Sequence, residues 1–126
     1  MDVQEQIAYW LGGSQEDIEA AAVLIEKRKI RQGLFFAHLA VEKVLKASVT
    51  KAAAAIPPRM HDLLRLADLA GMALSPERRE FLARLQRYCL EGRYPDLPLA
   101  APSLEEGQAE LTKAQETRSW LASQLT

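Results

Sequence analysis

The chain has 126 residues, 48% of them hydrophobic and 26% charged, with a formal net charge of −1. That length argues for one domain and that balance for an ordinary globule, and the near-neutral total removes any global electrostatic reason to expect nucleic acid. No apolar run approaches the ~20 residues that span a bilayer, and one cysteine, Cys89, excludes an internal disulfide.

In chain order, MDVQEQIAYW has early acids and no basic n-region. It does not read as a secretory signal, and a reducing cytoplasm is the expected compartment. Ile7, Leu11, Ser14, Ile18, Ala21 and Ile25 then recur every three or four residues. This phase runs straight across Gly12-Gly13 and predicts one long helix, about 3–28, weakened but not ended by the glycines; a kink there is the alternative. KRKIRQG (27–33) reads as a turn. LFFAHLAVEKVLKASVT carries Leu34, Ala37, Val41, Val44/Leu45 and Ser48 on one stripe, predicting a second helix over about 32–53. Pro57-Pro58 stops helix and forces an extended approach. HDLLRLADLAG gives a short third helix with Gly71 as its C-terminal glycine. Ser75-Pro76 is a cap followed by a first-turn proline. It opens a fourth helix with Phe81, Leu85 and Tyr88 or Cys89 inward, which Gly92 is expected to close. A loop over about 93–102 follows. Ser103 and Glu106 form a capping box for a last helix to about 124, with Leu111, Ala114, Leu121 and Leu125 on its stripe. No segment alternates with a period of two, so no strand is predicted. The fold class is all-α, a bundle of four long helices plus a short one.

Charge is unevenly spread. Residues 1–26 hold six acids and no Lys or Arg, whereas residues 27–59 hold eight Lys/Arg and one acid, Glu42. Either the two stretches pack together and neutralise each other, or the middle presents a basic surface to a phosphate or acidic partner. The sequence has no phosphate loop, no G-x-G-x-x-G and no H-E-x-x-H. One cysteine and two histidines do not make a structural zinc site, and the paired Glu-x-x-His motifs of di-iron bundles are absent. No metal or cofactor is expected. What remains is polar residues in apolar helical settings. His38, Glu42 and Lys46 stand at i, i+4 and i+8 and share one face, with Lys43 beside them. His61-Asp62 follows the proline stop, where Asp62 suits an N-cap. Arg93 suits either a helix C-terminus, which favours a cation, or a site.

Three of these segments resemble a known family. FFAHLAVEKVLKA (35–47), PPRMHDLLRLA (57–67) and YCLEGRYPD (88–96), in that order, look like the signatures of the HEPN domain, and YWLGGSQEDIEAAAVLI (9–25) resembles its first helix. The resemblance covers most of the chain. It implies an antiparallel helical bundle that forms homodimers, with a nucleotide- or RNA-related role. It also implies, in many members, partnership with a minimal nucleotidyltransferase in a toxin–antitoxin pair; a separate reading, in which such a partner modifies this chain with AMP, has Tyr94 as its candidate tyrosine. Some members are metal-independent ribonucleases in which four to six residues separate an arginine from a following histidine. Here Arg93 matches the motif arginine, but RYPDLPLAAPS contains no histidine. Arg31 and His38 have comparable spacing at the wrong place, the head of the second helix. The residues carried over as nucleotide-, RNA- or partner-binding candidates are Glu42, Lys43, Lys46, His61, Asp62, Arg93, Tyr94 and Asp96. Arg93 offers a planar fork for phosphate, Tyr94 a stacking face, and the lysines point charges. The same set also fits a structural staple between the 93–102 loop and helix two. A nuclease would have to use Arg93 with His61 or His38.

Overall fold

The structure, a computed structural model, describes residues 2–93 and 101–126, with residues 90–93 by backbone alone. Five helices follow one another: α1 (Val3–Glu26), α2 (Ile30–Ala53), α3 (Leu63–Leu69), α4 (Pro76–Arg93) and α5 (Leu104–Ser123). Among the described residues there is no strand, and no helix is long and apolar enough to cross a membrane.

α1 is continuous through Gly12-Gly13, as its unbroken phase requires. Ile7, Ser14, Ile18, Ala21 and Ile25 are all buried. Ser14 earns its place on that stripe by hydrogen bonding. Its hydroxyl donates to the Ala40 carbonyl of α2 at 2.7 Å and accepts from Arg118 Nε of α5 at 2.8 Å, so one small side chain joins three helices.

The turn into α2 is shorter than expected. It is only Lys27-Arg28-Lys29, with Arg28 in the left-handed region at φ 63° and its amide bonded to the Ile25 carbonyl. Gly33 therefore lies inside α2, not in the turn, and its missing side chain serves packing. A Cβ there would stand 2.5 Å from Ile25 Cγ1 and 3.1 Å from the Ala21 carbonyl. The glycine lets α1 and α2 approach closely.

α2 is the axis of the bundle. It contacts all four other helices, and from Leu34 onward it buries residues on every side, including His38, Glu42 and Lys46. A narrow stripe, from Gln32 through Phe36 and Leu39 to Lys43, and the C-terminal turn stay partly open to solvent. α2 ends before the proline pair is reached, at Ala53, where Ala54 turns left-handed at φ 51°, and Asp62 caps α3 by accepting from the Arg65 amide at 3.2 Å. Gly71 follows α3 at φ 69°, the left-handed position for which glycine suits a helix end. Ser75 accepts from the Arg78 amide at 3.2 Å to start α4.

Two expectations need correction. α4 runs through Gly92 to Arg93, because a glycine weakens a helix without terminating it unless the chain turns left-handed there. And α5, capped by the reciprocal Ser103–Glu106 box, buries Gly107, Glu110, Ala114, Thr117 and Leu121, while Leu111 and Leu125 are only half-buried. Its inner face is mostly not hydrophobic. Gly107 makes room for Ile30 (a Cβ would lie 2.7 Å from Ile30 Cγ2). Glu110 takes a two-pronged bond from Arg84 of α4, at 2.8 and 2.9 Å. That bond to the carboxylate holds the Arg84 guanidinium's pKa above its ordinary value.

Candidate functional site

The three polar residues predicted to share a face of α2 do so, and they meet α3 and α4 in the interior. His38 is fully buried; Glu42 and Lys46 are 3% and 7% exposed. The segment after Pro57-Pro58, turned by a Met60 amide bond to the Pro58 carbonyl at 2.9 Å, lays His61 against them. His61 Nδ1 is 3.0 Å from Glu42 Oε1, Lys46 Nζ is 3.2 Å from Glu42 Oε2, and His38 Nδ1 is 3.9 Å from Glu42 Oε1. His38 Nε2 donates to the His61 carbonyl at 3.3 Å. From α4, Gln86 Oε1 accepts from the Leu63 amide at 2.8 Å and secures the start of α3. On the far side, Lys46 Nζ lies 5.3 Å from the centre of the Trp10 ring of α1.

These contacts set the protonation states. The His61 carbonyl only accepts, so His38 carries its proton on Nε2. Burial pushes the His38 pKa below its ordinary value of 6.5, against the raising influences of Glu42 and the His61 carbonyl. His38 is thus neutral. Its Nδ1 is buried beside the carboxylate with no hydrogen-bond partner. The Glu42 carboxylate accepts from His61, so His61 carries a proton on Nδ1. The side chain of His61 is 51% exposed, which makes it the solvent-facing end of an otherwise internal network.

The depressed pKa of His38 fixes a sign. Above pH 6.5 the residue is neutral folded or unfolded and contributes nothing to pH dependence. Below it, the unfolded chain takes up a proton that the buried ring refuses, so stability falls with falling pH until the folded-state pKa is reached. Glu42 and His61 face the ring and remain in place in His38→Gln, which retains an N–H for the His61 carbonyl. The urea midpoint is expected to drop between pH 7.5 and 5.5 in the parent and to drop less in His38→Gln.

The other candidates are dispersed. Lys43 faces α1 and pairs with Asp17 at 2.7 Å, so it offsets one acid of the first helix and takes no part in the Glu42 cluster. Lys46 is inside the protein, not on a basic surface. Asp62 is exposed and occupied as the α3 cap. The backbone of Arg93 ends α4, but its side chain, and all of Tyr94 and Asp96, lie outside the described residues. Trp10, Asp17 and Gln86 belong to the surroundings of the site and carry no motif of their own. The only signal for any of them was the acid-rich first quarter, which foretold a partner such as Asp17 for the basic stretch. Among the described residues no group of three or more His, Cys, Asp or Glu is placed to hold a metal ion.

A family model described as HEPN domain matches residues 7–124, nearly the whole chain. No curated protein and no solved structure matches it.

Proposed function

Because this chain belongs to the HEPN domain family, we propose that it acts as a homodimeric helical module that binds a nucleotide or RNA, or a minimal nucleotidyltransferase as the partner in a toxin–antitoxin pair. The observation that carries this reading is the half-exposed His61 ring seated on the buried Glu42 carboxylate at 3.0 Å. A buried ion pair is seldom more stabilising than well-packed apolar side chains of the same volume. Glu42, Lys46 and His38 instead hold one imidazole in a fixed pose at the surface. Arg93, which matches the family's motif arginine, is the cation this reading assigns to a phosphate. The test is a thermal shift with AMP, ATP, single-stranded RNA and the protein encoded by the neighbouring gene. A ligand at 100 times its Kd adds about 2.7 kcal/mol to stability. His61→Ala and Arg93→Ala are expected to abolish the shift; no shift with any of these partners refutes the module.

A metal-independent ribonuclease is the second reading, and one feature favours it. A buried carboxylate that fixes the proton on Nδ1 leaves Nε2 as a base, which is how an imidazole is prepared for general catalysis. RNA cleaved in the presence of EDTA by the parent and spared by His61→Ala supports this reading. Absence of cleavage, or cleavage that His61→Ala leaves unchanged, removes it.

A further inference from the structure

We infer that a nucleobase seats in the cleft on the outer face of α1, stacked against Tyr9 over the bare backbone of Gly12. The inference rests on the reading of this protein as a nucleotide or RNA binder and says where the base goes. The cleft, of about 310 Å³, is lined by Tyr9, Trp10, Gly12, Gly13, Glu16 and Lys43. Its two glycines are there for different reasons. A Cβ on Gly13 would stand 3.1 Å from Lys43 Cδ, so that glycine admits the lysine stem on its way to Asp17. A Cβ on Gly12 would meet nothing within 4 Å. Internal packing therefore gives no reason for a helix-weakening glycine in the middle of a 24-residue helix. What Gly12 does is leave open space beside an aromatic ring that is 70% exposed, and a flat ring fits between a bare peptide surface and an aromatic face.

The polar groups at the cleft select a base over a phosphate. Lys43 is already engaged by Asp17, and Glu16 is an acceptor that repels a phosphate but takes hydrogen bonds from an exocyclic amine. Behind the cleft, contacts through the interior run to the buried Glu42 carboxylate. Tyr9 packs edge-on against Trp10 at 5.3 Å, Trp10 carries Lys46 at 5.3 Å, and Lys46 holds Glu42 at 3.2 Å.

The test titrates the full-length protein with oligoadenylate, with AMP and with an abasic oligonucleotide of equal length. Tyr9→Ala and Gly12→Leu are the variants. Leucine at position 12 fills the cleft without touching the core, so its fold is checked by an unreduced melting temperature. Both variants are expected to weaken oligoadenylate binding about tenfold or more, the usual loss of one stacked base, and to leave binding of the abasic strand as it was. A matching loss with AMP identifies a free-nucleotide seat; loss with the oligomer alone identifies RNA. Parental affinity of both variants for oligoadenylate overturns the inference while leaving the binding module standing. No binding of either nucleotide form by the parent overturns the inference together with the nucleotide- and RNA-binding reading it rests on.

Discussion

Glu42→Ala is expected to lower the unfolding free energy by about 3–5 kcal/mol, the usual cost of leaving one member of a buried ion pair without its partner. The size follows from what the carboxylate holds. Lys46 is 9% exposed at its side chain and meets Glu42 at 3.2 Å, so without it an ammonium is left inside the bundle. His61 contributes less to the loss because half of its ring is in water. Urea denaturation measures the change. Glu42→Leu combined with Lys46→Met removes both charges while keeping volume, and is expected to recover most of the loss. A double variant no better than the single one, or a single variant losing under about 1 kcal/mol, contradicts the ion-pair account.

Gly33→Val is the second large effect, of about 2–3 kcal/mol, through overpacking. The new Cβ would fall 2.5 Å from Ile25 Cγ1 and 3.1 Å from a backbone oxygen of Ala21. Neither neighbour is the free end of a flexible side chain, so α1 and α2 must move apart along their contact. The contrasting substitution is Gly12→Ala. Nothing lies within 4 Å of that Cβ, and alanine is about 1 kcal/mol better than glycine in a helix, so stability rises. Melting curves of the two variants should move in opposite directions; a shift of both in the same direction refutes the packing roles assigned to these glycines.

Much of the architecture was legible because apolar spacing is a direct imprint of burial. The stripe from Ile7 to Ile25 carried α1 across two glycines, and the caps at Asp62, Ser75 and Ser103 marked three helix starts by chemistry that is local in sequence. α5 was read less well. Its inward positions are held by Gly107, Glu110 and Thr117, which pack by smallness or by a bond to a distant arginine. No pattern within one helix reveals that. Gly33 misled for a related reason. A glycine beside a basic turn looks like part of the turn, and only the position of Ile25 shows that it is a contact. At the site, the shared face of His38, Glu42 and Lys46 followed from the helical period. That the face points inward, and that His61 closes it, depended on α2 being contacted by all four other helices. The companions Trp10 and Gln86 come from other helices and have no signature.

The cationic character of residues 27–59 takes a different form once α2 is seen as the axis. In its middle, Lys43 and Lys46 are each matched by a carboxylate. The exposed cations are at and beyond its ends: Lys27, Arg28 and Lys29 in the turn before it, Lys51 near its close, with the Lys51 ammonium on the Leu125 carbonyl at 3.0 Å, and Arg59 after it. At 1.5 Å per residue, Lys29 and Lys51 stand about 33 Å apart. Ionic screening at physiological salt reaches only about 8 Å. The two groups therefore act as isolated points and not as one continuous field, so a polyanion approaching along the helix finds a footing at each end and no electrostatic track between them.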